Sequence, residues 1–413
     1  MAQQNISVGI DIGSTKVVVC IGKIEDNNTI DIIGVGESVN QGIRRGVIED
    51  IDETVSAITA ALVEAERMSG HTINNATVGI SGPNIESEIS KGVIAITRPD
   101  GMITEPDVSR VLDAAKAISN KPNRSLIHVI PLNFTIDGTE IVKNPIGMSG
   151  VRLETNTSMI SASVNAIRSL ERAITQAGIE PNDPVFSPLA TAKVLLSKKQ
   201  MEIGVILIDI GANTSSYVVY EESNLVKCGV IPIGSAHITN DIAIGLRTRL
   251  EIAELIKIKY GYAIPDKIGS EEQIDLSKLD KNETERVSLK YVSEIIEARL
   301  NEILLMVRDN LSNIDRDGTL PSGIVFTGGG AKIDGLVELA KNTMHLPAQI
   351  GYPQIEFSGL IDKLDDPVYA TSMGLMLWGK DQSNGGGGSF NFDVPGLNGM
   401  VSKVKSIFKN FLP

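Results

Sequence analysis

The sequence predicts an α/β protein whose core is one fold used twice. Three observations carry this. A strand–turn–strand pattern starting at Val8 returns at Ile206, 198 positions later. A further glycine-rich strand-to-helix turn, SGIVFTGGGAK at 322–332, follows both copies. The 413 residues, 42% of them apolar, suffice for roughly two to four cored domains and leave global disorder out.

The first copy, 8–36, reads VGIDIGSTKVVVCIGKIEDNNTIDIIGVG, and the second, 206–234, reads ILIDIGANTSSYVVYEESNLVKCGVIPIG. Asp11/Asp209, Gly13/Gly211 and Gly36/Gly234 all share the 198-residue offset. In each copy an apolar strand ends in Asp-Ile-Gly, a short polar turn follows, and a β-branched strand leaves. Turns written Gly-Ser-Thr-Lys and Gly-Ala-Asn-Thr present successive backbone N–H groups, a nest for anionic oxygens. Ser14, Thr15 and Thr214 add hydroxyls, and Lys16 adds charge. An Asp at each strand end suits a hydrated Mg²⁺, which prefers oxygen ligands and keeps waters. A single Asp-Ile-Gly reads as an ordinary hairpin turn; two at matched spacing read as two hairpins gripping phosphates across a cleft.

In the third element an apolar strand, Gly328, Gly329 and Gly330, and the amphipathic run IDGLVELAKNTM allow close backbone approach beside a helix start. The spacing is not GxGxxG, so a dinucleotide fingerprint is absent. This loop suits the nucleoside end of the same ligand.

Composition excludes other classes. With 38 basic against 51 acidic residues, the net charge of −13 argues against a nucleic-acid backbone binder. Aromatic content of 4% argues against a base-stacking surface. Cys20 and Cys228 supply neither a disulfide framework nor metal spacing. The N-terminal MAQQNISVGID lacks a secretory signal, and no apolar run spans a bilayer, so a cytoplasmic protein is expected.

Together the two hairpins and the Gly-Gly-Gly loop resemble the superfamily of actin, heat-shock chaperone and sugar-kinase ATPases. Longer stretches narrow this. The segments ITEPDVSRVLDAAKAI, SLIHVIPLNF, NFTIDGTEIVKNPIGMSGVRL and ITNDIAIGLRTRLEIAELIKIKYGYA are similar to the FtsA family of bacterial cell-division proteins, over almost the whole chain. The resemblance implies an actin-like (ribonuclease H-like) duplicated ATPase fold with an inserted small α+β subdomain. The first phosphate domain would be 1–82, continued by 163–200 and 367–380, with the insert at 83–162. The second would be 201–243, continued by 320–366, with an outer subdomain at 244–319. A helix is predicted over 164–177, ended by Gly178, and a long one over 287–311 with Ile295 and Ile296 toward the core.

By the same resemblance ATP and Mg²⁺ are the expected cofactors. Asp11 and Asp209 would serve the catalytic and metal positions. Gly13, Ser14, Thr15 and Lys16 match the first phosphate motif, and Gly211, Ala212, Asn213 and Thr214 the second. Gly234 opens the turn before the outer subdomain, Glu251 and Lys257 match an adenosine-facing helix, and Gly328–Gly330 match the adenosine loop. The second hairpin departs from the pattern: Ala212 and Asn213 replace glycines and Ser216 replaces an Asp. Ser187 stands where the superfamily often carries a Glu before proline. Asn tolerates φ > 0 should the turn need it. A serine cannot orient water as a carboxylate does, so ATP binding with slow or no hydrolysis is expected.

Residues 381–396, DQSNGGGGSFNFDVPG, read as a flexible linker. Beyond it Val401, Val404, Ile407, Phe408, Phe411 and Leu412 recur at helical spacing, opposite Lys403, Lys405 and Lys409. Such an amphipathic helix, 397–413, suits the plane of a membrane interface with anionic lipids. The resemblance implies a protein that polymerises on the inner membrane at the division site and tethers FtsZ through that protein's C-terminal tail, other division proteins being further partners and nucleic acid none. The alternatives are an actin-like scaffold of a pilus or secretion machine and a small-molecule kinase, which would need an acceptor-site base.

Overall fold

β-Branched runs open the chain. In the computed structural model, which describes residues 6–25, 29–119, 121–281, 283, 285–359 and 365–383, β1 (Ile6–Ile12), β2 (Lys16–Ile24) and β3 (Ile30–Val39) form an antiparallel meander. Residues 17–21 are all buried, as a strand covered on both faces requires. A small hairpin, β4 (Ile43–Arg44) and β5 (Val47–Ile48), leads to α1 (Ile51–Ser69). The Asp50 side chain caps α1 by accepting from the Glu53 amide at 3.0 Å, and Gly70 ends it at φ 71°. Ala57, Ile58, Ala61, Leu62 and Ala65 face the sheet at helical spacing. β6 (Asn75–Ile80) then pairs parallel with β1.

Here the chain departs to build a separate layer: β7 (Ile85–Ala95), α2 (Glu105–Ile118), β8 (Arg124–Ile136), β9 (Glu140–Val142) and β10 (Arg152–Ser163). Its strand order is β7-β10-β8-β9. Ile103, Val108, Val111, Phe134, Ile136 and Leu153 give it a core of its own. Exit and return lie together, the Ser163 amide donating to the Asn84 carbonyl. α3 (Val164–Gln176) follows as its periodicity predicts, and Gly178 at φ 86° turns the chain after it. β11 (Glu180–Pro181) and β12 (Val185–Phe186) add to β6, and α4 (Ser187–Leu195) and α5 (Lys198–Ile203) complete this stretch.

The second half repeats the first. β13 (Val205–Ile210), β14 (Ser215–Glu221) and β15 (Asn224–Ile231) form another antiparallel meander. Asp11 lies opposite Val18 and Asp209 opposite Ser216, so both hairpins keep one register across the 198-residue offset. The third expected match fails. Gly36 sits inside β3 opposite Val19, whereas Gly234 lies past β15 as the cap of α6 (Ser235–Leu246). A shorter loop between the second pair of strands puts Gly229, not Gly234, opposite Tyr217.

α7 (Leu250–Tyr260), the short pair β16 (Gln273–Asp275) and β17 (Arg286–Ser288), and α8 (Leu289–Ser312) make the outer part. The long helix starts two residues later than predicted. Val287 pairs with Ile274, and the Ser288 hydroxyl caps the helix from the Tyr291 amide. Ile295 is only half-buried, while Ile296, Leu300, Ile303, Leu304 and Val307 enter the core. β18 (Ile324–Thr327) pairs parallel with β13, followed by α9 (Leu336–Met344) and β19 (Ala348–Ile350).

The chain then returns to the first half. β20 (Phe357–Gly359) pairs parallel with β3, and α10 (Ala370–Ser383) buries Met373, Leu375, Met376, Leu377 and Trp378 in the first core. The expectation placed all of 320–366 in the second half. Pairing of 357–359 with β3 satisfies that sheet's open edge and brings the return forward. The expected linker 381–396 begins too early: residues 381–383 still belong to α10, and Asp381 pairs with Lys193. The rest of the linker and the amphipathic segment 397–413 lie outside the described residues.

Candidate functional site

The ends of β1 and β13 meet at the floor of a cleft of about 650 Å³ between the halves, a volume ordinary for a small-molecule site. Asp11 through Lys16 line one wall. Asp209, Gly211, Ala212 and Thr214 line the other. Lys257, Gly328 and Gly329 close the far end.

Both turns are tied the same way. The Gly13 amide donates to the Lys16 carbonyl and the Gly211 amide to the Thr214 carbonyl, each at 3.0 Å. A Cβ at either glycine would stand 2.9 Å from the carbonyl it bonds, so glycine is required by space. Neither turn uses φ > 0; Ala212 and Asn213 adopt ordinary backbone angles, and the reason offered for Asn there does not apply. Sequence reasoning missed Asn40, which is buried behind the first turn. Its side-chain amide donates to the Gly13 carbonyl at 2.9 Å, its Oδ1 accepts from the Gly42 amide, and its own amide donates to the Thr15 carbonyl. The second turn is held instead by α6, whose Ser235 and Ala236 amides donate to the Gly211 and Ala212 carbonyls at 2.8 Å. Gly234 permits that approach, since a Cβ there would come within 2.6 Å of both carbonyls.

Burial, then the neighbouring Asp209, push the Asp11 carboxyl up to about 7, with Lys16 pulling it back. Burial raises Asp209 to about 6 against a long 3.5 Å hydrogen bond from the Thr371 hydroxyl. Two carboxylates deprived of water with little cationic help are suited to a hard cation. Gly328 shapes the same floor: it holds φ 84°, and a Cβ would fall 2.2 Å from Asp209 Oδ1. These features fit a hydrated Mg²⁺ and a phosphate-bearing ligand lying over the turns.

Four of the expected residues do not line the cleft. Asn213, although in the second turn, is not among the lining residues, Gly234 stands behind that turn, and Gly330 packs against Ile210. Glu251 is exposed in the first turn of α7, and the lining residue is Glu254. Lys257 does reach the cleft, but its ammonium is occupied by the Ser235 carbonyl at 3.2 Å, the Thr239 hydroxyl at 2.8 Å and Glu254 at 2.7 Å. It clamps α7 to α6. The lining also gains Ser81, Ser187, Ser216, Lys332 and Thr371.

Twinned sheets closing on a shared cleft define the actin-like class, and solved structures agree. The chain is similar to the PilM–PilN type IV pilus biogenesis complex (TM-score 0.67, 17% identity, 91% of this chain and 98% of that one). It is also similar to MreB 5 of Spiroplasma citri bound to AMPPNP (TM-score 0.56, 14% identity, 93% of this chain and 98% of that one). Those identities speak to fold alone. The family model for cell division protein FtsA matches 206–374, and that for the SHS2 domain inserted in FtsA matches 82–161. Cell division protein FtsA of Pseudomonas aeruginosa is 35% identical over 94% of both chains. That of Bacillus subtilis is 34% identical over 96% of this chain and 88% of its own, and that of Escherichia coli 30% over 92% and 91%. The chain belongs to the FtsA family of cell-division proteins. Membership replaces the pilus-scaffold and kinase alternatives. Among the described residues no helix is long and apolar enough to cross a membrane.

Proposed function

We propose that this cell-division protein binds ATP with Mg²⁺ in the cleft and acts as a polymerising scaffold on the inner membrane, tethering FtsZ by its C-terminal tail. The observation that carries the reading is the pair of hairpins in one register, each ending its strand in an aspartate at a common floor. Asp11 and Asp209 would hold the hydrated cation, which supplies charge neutralisation to the phosphates. The turns at 13–16 and 211–214 would seat phosphate oxygens, and Gly328–Gly329 would pass under the nucleoside.

Hydrolysis would be slow. Besides Asp11 and Asp209, the carboxylates lining the cleft are Glu254, engaged by Lys257, and Asp334. Ser187 and Ser216 line the cleft and carry no carboxylate with which to orient water. ATP then works as a ligand that favours the closed, assembling form rather than as fuel. The apolar and lysine faces of 397–413 support peripheral attachment.

Electron microscopy on lipid monolayers tests this. Lipid-attached filaments with ATP·Mg²⁺, lost on removing 397–413, are expected. ATP-independent filaments, or lipid binding unchanged without the tail, would overturn it.

A further inference from the structure

Lys16 lines the cleft beside the first turn, yet its ammonium is already engaged. Nζ lies 3.2 Å from Glu37 Oε2 on β3 and 5.4 Å from the centre of the Tyr369 ring. The Tyr369 hydroxyl donates to that same Glu37 oxygen at 3.0 Å. One carboxylate oxygen therefore joins a cleft cation to the segment by which the chain re-enters the first half.

That segment is tied to the second half as well. The Pro367 carbonyl accepts from the Thr327 hydroxyl at 3.0 Å. Asp366 caps the turn through the Val368 amide and pairs with Lys332 at 2.5 Å. Thr371 reaches Asp209 on the cleft floor. Residues 366–371 thus touch both halves and both strand-end aspartates' surroundings, while Tyr369 itself is nearly buried.

We infer that Glu37 is a positioning residue that competes with a bound phosphate for Lys16 and, through Tyr369, ties phosphate occupancy to the seating of 366–371. The inference rests on the nucleotide reading above. The Lys16 and Glu37 side chains are 35% and 45% exposed, so the pair is weak enough to be exchanged and its carboxylate is readily rehydrated. A polyphosphate offers Lys16 more negative charge than Glu37 does. When the lysine leaves, Glu37 retains only Tyr369 of these two donors, and the crossover responds.

Glu37→Gln keeps an oxygen for Tyr369 and removes the competing charge. Titration with a fluorescent ATP analogue and Mg²⁺ is expected to show binding about twofold to fivefold tighter than the unaltered chain, the worth of an exposed ion pair. Adenosine affinity, measured by calorimetry, should not change, because adenosine carries no phosphate. Hydrogen exchange across 366–371 should change on adding ATP·Mg²⁺ in the unaltered chain and much less in Tyr369→Phe. If the unaltered chain fails to bind the analogue, the nucleotide reading falls and this inference with it. If it binds, but Glu37→Gln binds equally or shifts adenosine by the same factor, the inference alone is overturned. An exchange response identical in Tyr369→Phe would remove the coupling.

Discussion

The side-chain amide of Asn40 donates to the carbonyl of Gly13 at 2.9 Å, fixing a turn 27 residues upstream. Asn40→Ala removes that bond and the acceptor for the Gly42 amide, leaving one buried N–H and one half-buried carbonyl unpaired. A loss of about 2 kcal/mol is expected in urea melts. Asn40→Asp, which keeps the acceptor but places a charge behind the turn, should bind ATP more weakly than the unaltered chain in equilibrium titration.

The strand-end aspartates set a pH dependence. A carboxyl whose folded value is raised favours the folded state when protonated, so that stability fades as pH climbs. For Asp11 the fade runs from about 3.8 to about 7, and for Asp209 from about 3.8 to about 6. Without divalent cation, Asp11→Asn should be more stable than the unaltered chain at pH 8, by about 2 kcal/mol once solvent screening is allowed for. The advantage should vanish near pH 4. Calorimetric melts across this range check it; a constant difference would contradict the burial penalty.

Mg²⁺ should restore what burial costs. With ATP present, EDTA is expected to lower the melting temperature at pH 8 and to lower it much less at pH 5.5, where protons occupy the same carboxylates. A chelator effect independent of pH would place the cation elsewhere.

Glu251 and Lys257 are expected to part company. Glu251→Gln should leave nucleotide affinity within about twofold, as for an exposed residue off the cleft. Lys257→Met should cost about 1–3 kcal/mol of stability, since Ser235, Thr239 and Glu254 lose a shared donor. Paired thermal melts and titrations separate the two.

Much of the site was legible because its pieces are local. Asp-Ile-Gly at a strand end, matched twice, gives the floor, and the first two of three glycines after a strand give the far wall. Asn40 was hidden because its partner is brought close only by the β2–β3 return. Glu251 could have been set aside from the sequence. Six residues on a helix put it far around from Lys257, whereas Glu254 at three residues is a neighbour. The mistaken Gly36/Gly234 match shows the limit of offset counting: a loop shortened by five residues shifts everything after it while leaving the first hairpin untouched. The early return at β20 rests on sheet-edge pairing, which three residues of sequence do not announce.

The two halves also differ in how the chain supplies them. The second sheet and its helices come from one stretch, 205–350. The first is assembled from three, and its cover helix α10 spans 370–383. On the ribosome the second half can close as soon as its own strands emerge, while β1, β2 and β6 wait with one face uncovered for almost the whole of synthesis. The earliest-made sheet is therefore the last to be finished, and the nascent chain's exposure to aggregation and to chaperones is concentrated in its oldest part.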